Sequence, residues 1–202
     1  MVNFWDALII RDVILRIICE EVVMSKILLI HGSCADQIAD AVVNAANSEL
    51  LKGGGICKVI FDRCGTAELT QSCSEKQTPV KDGNAVITPA FNMKNSKYII
   101  HAVGPDFRQK PKAFLELFNA YYNSLVLLKD NNLHSISFPL ISSGIFAGNL
   151  PNADGESAKQ CCRAYKKFIQ DYPEYDIDVL LCAFTSAEYN AAKTIFNNIE
   201  NK

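Results

Sequence analysis

"DAVVNAANSELLKGGGICKVIFDRCG", residues 40–65, passes from an apolar run through a polar turn and three consecutive glycines into a stretch with helical spacing. The "DAVV" segment reads as a buried strand. Ile56, Val59 and Ile60 recur at helical intervals, and Gly65 stands where a C-terminal cap belongs. Glycine lacks Cβ, so a run of it lets backbone amides approach a ligand and adopt positive φ without steric cost. A helix that starts directly after such a loop aims its free N–H groups and positive dipole end at the same place. The stretch therefore reads as a strand, loop and helix that cradle an anion, phosphate being the common case. Glycine turns also join strands to helices with no ligand at all, and neither the P-loop lysine pattern nor G-x-G-x-x-G is present.

Outward from this stretch, apolar runs alternate with helical patterns. "KILLI" precedes it; a second helix spans Thr66 to Ser74; "NAVITPA" and "KYIIHAV" read as strands. A long helix is expected to open at Pro111, with Phe114, Leu117, Phe118, Tyr121, Leu125 and Leu128 as its apolar stripe. "SISFPLI" is a strand, "SSGIFAGN" a loop, Ala153 to Asp171 a helix, "DVLLCAF" the last strand and Ala187 to Ile199 the closing helix. Nearly continuous apolar strands separated by helices indicate an α/β sheet with helices on both faces. In such sheets a ligand sits at the carboxyl ends of the strands, so the loops at 44–55 and 142–148 should face each other across one cleft. Residues 1–23 read as an amphipathic helical extension with Ile10, Val13, Ile14, Ile17 and Ile18 on one face, and the compact domain as residues 24–202.

The 202 residues suffice for one sizeable core, and the net charge of −2 argues against a protein that works mainly by attracting nucleic acid or anionic lipid. Asp6, Arg11 and Asp12 interrupt any secretory hydrophobic region, and no segment is long and uncharged enough to span a bilayer. A reduced, cytoplasmic setting is expected, with the eight cysteines serving mostly as small buried apolar residues. None shows C-x-x-C spacing, so no metal site is expected.

"DAVVNAANSELLKGGG", "YIIHAVGP" and "SFPLISSGIFAG", in that order and at these spacings, resemble the macrodomain family, which binds ADP-ribose. The likeness covers roughly residues 26–200. It implies a three-layer α/β/α fold with a central mixed sheet, ADP-ribose or an ADP-ribosylated protein as partner, and no cofactor. By position, the resemblance puts Asn44 and Asn47 at the distal ribose, Asn47 matching the asparagine that orients that sugar in hydrolytic members. It puts Gly53, Gly54, Gly55 and Ile56 over the diphosphate, and Ser142, Ser143, Gly144, Ile145 and Phe146 in a second phosphate loop with Phe146 flanking the distal ribose. Phe184 matches the aromatic that stacks on adenine, although a place in the core fits it as well. Each asparagine also suits a turn-stabilising role. His101 matches a strand-end histidine, where packing and a hydrogen bond are expected rather than a base.

Two positions depart from the pattern. Many members end the first strand in Gly-Asp, whose carboxylate reads adenine; here Ser33 and Cys34 follow Gly32, which should weaken adenine selectivity unless Asp36 or a backbone group substitutes. Hydrolytic members of one large class carry an aspartate two residues after the last loop glycine, where this chain has Cys57. At the first turn of a helix Cys57 has the dipole environment that favours thiolate. Lys52 replaces the histidine that precedes the glycines in viral members. Two functions fit: hydrolysis of ester-linked mono-ADP-ribosyl groups or of O-acetyl-ADP-ribose, with Asn47 as the catalytic candidate, or an ADP-ribose reader without turnover, which Cys57 favours. A nucleic-acid-binding module is disfavoured by the charge and by the lack of an aromatic and basic pattern.

Overall fold

Six strands pair in the order β1 (Lys26–His31), β6 (Asp178–Ala183), β5 (Ser135–Pro139), β2 (Ala41–Ala46), β4 (Tyr98–Val103) and β3 (Ala85–Pro89) in the computed structural model, which describes residues 25–200. All neighbours run parallel except β3, which is antiparallel to β4, so the sheet is mixed. Among the described residues the α-helices are α1 (Gly55–Cys64), α2 (Thr66–Ser74), α3 (Phe114–Asp130), α4 (Ala153–Asp171) and α5 (Ser186–Glu200). The helical extension expected over residues 1–23 lies outside the described residues.

Side-chain alternation along the strands divides the core in two. Ala41 and Val43 of β2 and Ile100 and Ala102 of β4 pack against α3, α4 and α5, whose Leu117, Tyr121, Phe168 and Ala192 are buried there. Val42, Ala46, Ile99 and Val103 face the other way, onto Cys57, Ile60, Phe61 and Cys64 of α1 and Leu69 and Cys73 of α2. A fully buried side chain such as Phe61 or Phe138 contributes about 1.5–3 kcal/mol relative to exposure. The result is the expected three-layer α/β/α arrangement.

Two boundaries and one buried face depart most from the sequence reading. Strand β2 runs on to Ala46 instead of ending at Val43, because the pairing with β4 continues through Asn44↔His101 to Ala46↔Val103. The long helix opens at Phe114, not Pro111. A turn held by the N–H groups of Gln109 and Lys110 on Asp106 O, then by Ala113 N–H on Lys110 O, takes up the proline first. The buried stripe of α1 is Cys57, Ile60, Phe61 and Cys64, spaced three, four and seven apart, which leaves Val59 partly exposed.

One buried polar cluster fixes the exit of β5. Ile141 N–H donates to Tyr121 Oη at 2.8 Å, Ser157 Oγ donates to Ile141 O at 2.7 Å, and the two hydroxyls are 2.7 Å apart. Helices α3 and α4 thereby hold both backbone groups of the residue that opens the 142–148 loop. Tyr121→Phe leaves the Ile141 N–H without its acceptor, and the expected result is a loss of about 1–3 kcal/mol in urea unfolding, since a buried unsatisfied donor bears its full desolvation cost.

Candidate functional site

A cavity of about 630 Å³ opens at the carboxyl ends of the parallel strands. Its wall comes from the segments after β1, β2, β4, β5 and β6. Of the residues singled out in the sequence, Ser33, Cys34, Asn47, Gly53 to Cys57, Ser142 to Phe146 and Phe184 all line it. Asn44 does not.

The first loop is shaped by Asn47. Its side-chain amide donates to Leu51 O at 2.7 Å and accepts from Leu51 N–H at 3.0 Å, closing the turn that leads into the glycines. The turn-stabilising role is thus present, and the amide keeps one N–H and one lone pair for other partners. Gly55 sits at φ +56, a left-handed conformation that favours glycine, and α1 begins without a side-chain cap, so its first amides have no side-chain acceptor. Cys57 Sγ accepts from Gly53 N–H at 3.3 Å and is only 4% exposed. The thiol braces the underside of the loop from within the cavity wall. Lys52 points away, to Asp62 Oδ1 at 2.6 Å and Thr66 Oγ1 at 3.0 Å, and with Lys58 it holds the Asp62 carboxyl down at about 2.

The second loop meets the first. An ideal Cβ on Gly54 would lie 4.0 Å from Ile145 Cδ1. Ser142 adopts φ +59 and is 7% exposed, yet its Oγ has no hydrogen-bond partner among the described residues. A hydroxyl buried in a cavity wall without a partner has its hydrogen-bonding capacity left for an occupant. Ser143 Oγ donates to Leu140 O at 3.0 Å, and Phe146 lies under the Arg108 guanidinium, 5.6 Å from the ring centre. Gly104, at the end of β4, makes the close approach possible, since a Cβ there would fall 2.3 Å from Ser142 Oγ.

Phe184 ends the far side of the cavity and is 70% exposed, so the core reading is excluded. Its position is set by Glu188, whose Oε2 accepts from Phe184 N–H at 2.6 Å and Thr185 N–H at 3.1 Å, while Glu188 N–H donates to Thr185 Oγ1 at 3.2 Å. This is a capping box at the start of α5. Its signature, "TSAE", was readable, and Glu188 lines the cavity. Gly32, Ala45, Val59, Gly104 and Cys182 are further wall residues that sequence reasoning missed.

Asn44 is corrected by strand geometry. It shares a face with Val42 and Ala46 and is buried beneath α1 and α2, where Asn44 Nδ2 lies 3.1 Å from His101 Nδ1. His101 Nε2 in turn lies 3.0 Å from Thr88 Oγ1. Burial, and secondarily the charge of Lys76, push His101 down to about 3, which keeps the ring neutral and matches the structural role expected of it. Asp36 does not replace the missing adenine-reading carboxylate either: it pairs with Arg63 at 2.6 Å and does not line the cavity. Ser33 Oγ accepts from Ala35 N–H at 3.2 Å, capping a short turn. Among the described residues no group of three metal-ligating side chains is assembled, all seven cysteines are buried and unbridged, and no helix is long and apolar enough to cross a membrane.

The strand-end cavity, glycine loops and exposed aromatic define a mixed-sheet α/β domain with a ligand-sized site at its strand ends. The chain belongs to the macrodomain family: the Macro domain family model matches residues 43–158. An uncharacterized protein of Saccharolobus solfataricus is 35% identical over 177 residues, 86% of this chain and 94% of that protein. The O-acetyl-ADP-ribose deacetylase of Salmonella typhimurium is 37% identical over 152 residues, 73% of this chain and 82% of that protein. The macrodomain of Oceanobacillus iheyensis solved with ADP has a TM-score of 0.79 at 29% identity, covering 88% of this chain and 93% of that one; it has also been solved, as a mutant, with ADPR.

Proposed function

We propose that the protein binds ADP-ribose and hydrolyses esters of it, either mono-ADP-ribosyl groups on acidic side chains or O-acetyl-ADP-ribose. The meeting of two loops over one strand-end cavity carries this reading. Phe184 follows β6 and Asn47 follows β2, with β5 between them, so at about 4.8 Å per strand the two lie on the order of 10 Å apart along the sheet. That spread suits adenine at Phe184, the diphosphate over the loop after β5 and the first turn of α1, and the distal ribose at Asn47. Backbone amides suit a diphosphate in a cavity whose wall contains no Lys or Arg. Support for chemistry comes from the Salmonella relative, a deacetylase by name.

Hydrolysis adds water across the ester, returning a free carboxylate and a ribose hydroxyl. With Cys57 where an aspartate would help to engage water, catalysis rests on positioning: Asn47, held rigid by Leu51, orients the sugar, and the loop amides offset charge that develops near the phosphates. The reader function is the second reading, favoured by the placement of the Cys57 thiol under the loop.

The test is release of ADP-ribose from a protein modified on glutamate or aspartate. Multiple turnovers are expected, falling on the order of 100-fold in Asn47→Ala as orientation is lost. Binding without release makes the protein a reader, and Cys57→Asp then asks whether one side chain accounts for the silence. Absence of ADP-ribose binding overturns both readings.

A further inference from the structure

Glu188 has more to offer the cavity than its capping role uses. Both capping bonds go to Oε2, and Oε1 has no hydrogen-bond partner among the described residues. The side chain is half-buried in the cavity wall, one helical turn beyond the exposed ring of Phe184. The loop after β5 lines the same cavity. The Asp154 carboxyl, in the first turn of α4 beyond that loop, is pushed up by burial first and by the charge of Glu188 second, with the Ser143 hydroxyl acting in the opposite direction. Glu188 therefore lines the cavity beside the aromatic platform, on a wall shared with the second loop. In a ligand stretched from one to the other, that interval holds the sugar that joins the base to the diphosphate.

We propose that Glu188 is a specificity-determining residue that reads the vicinal diol of the adenosine ribose through Oε1, an assignment that rests on the ADP-ribose reading above. A carboxylate oxygen accepts from sugar hydroxyls, and such charge-assisted bonds are about twice as strong as neutral ones. The capping bonds leave Oε1 oriented before any ligand arrives, which lowers the ordering cost of binding. The same arrangement selects against a phosphate on the 2′-oxygen. That group would meet the Glu188 carboxylate with no Lys or Arg in the cavity wall to offset it. The unpartnered, buried Ser142 Oγ independently marks the neighbouring wall as built for an occupant. With a neutral serine where the adenine-reading carboxylate would be and Asp36 paired to Arg63, Glu188 shifts nucleoside selection toward the sugar.

The test uses the full chain and its Glu188→Gln variant, titrated calorimetrically with ADP-ribose and with the analogue whose adenosine ring lacks the 2′- and 3′-hydroxyls. Glutamine keeps a carbonyl oxygen for the Phe184 and Thr185 amides, so the capping box survives. Wild type should bind the dideoxy analogue about tenfold more weakly than ADP-ribose, and the variant less than about twofold more weakly, because only a direct contact couples the two changes. ADP-ribose carrying a 2′-phosphate should bind wild type weakly and the variant better. An equal loss in both proteins, or no loss in wild type, overturns the proposal while leaving the ADP-ribose reading intact. If wild type binds none of the ligands, the ADP-ribose reading falls and this assignment with it. Even if the variant folds poorly, wild type that binds the dideoxy analogue or the 2′-phosphorylated ligand as well as ADP-ribose overturns the proposal.

Discussion

A Gly104→Val protein is expected to melt well below wild type and to lose ligand binding altogether. Gly104 follows β4 and faces the loop that follows β5. Even the first carbon of a side chain there would fall 2.3 Å from Ser142 Oγ and 2.4 Å from Ile141 Cγ2, distances that no rotamer relieves. Ile141 cannot retreat, because Tyr121 and Ser157 hold both of its backbone groups. Ser142 is already at φ +59 and has little room to turn. Overpacking of this kind costs about 3 kcal/mol, which in a chain of this length lowers Tm by about 6–12 °C. Whatever relief the backbone finds must displace the 142–146 loop into the cavity. Thermal unfolding and ADP-ribose titration of the variant measure the two effects, and a variant that melts and binds as wild type would show that the loop is not braced as described.

The second large effect is a loss of stability in mild acid. His101 titrates at about 3 in the folded protein, against an ordinary value near 6.5 in the unfolded chain. Above pH 6.5 the ring is neutral in both states and has no pH-dependent effect. As pH falls below 6.5 the unfolded chain takes up a proton that the folded one refuses, so stability declines by about 1.4 kcal/mol per pH unit until the folded ring titrates. By pH 5 the loss is about 2 kcal/mol relative to pH 7. Urea midpoints at the two pH values should show it in wild type and not in His101→Gln. Equal slopes in the two proteins would mean that the ring is hydrated or that another group carries the transition.

Much of this architecture was legible in the chain because apolar periodicity reports burial directly. Thr66–Ser74 and Ala153–Asp171 are helices with the bounds read from sequence, since glycine before the first and a Pro-Asn pair before the second punctuate the backbone. The mixed sheet came from resemblance, because spacing alone does not say that β3 turns antiparallel. Asn44 was misplaced for a reason alternation explains. Once β2 is carried to Ala46, Asn44 takes the parity of Val42 and points into the helical layer, while Asn47 lies beyond the strand and reaches the cavity. Glu188 was passed over because a glutamate three residues after a threonine signals a helix start, and nothing in one sequence says that a cap also borders a cavity. Phe184 could be core or platform until its exposure was known.

The side of the cavity proposed to face the diphosphate is made of main chain at Gly53–Gly55 and Gly144, with few side chains to alter. A compound whose anionic group sits on those amides would meet a surface that point substitution can hardly delete. Resistance through Gly55 would require a side chain in a left-handed conformation, and through Gly104 one that collides with Ser142. Escape would have to run through Phe184, Glu188 or Ile145, at the edges of the site. An inhibitor anchored at the center and sparing at those edges would leave the protein the fewest ways out.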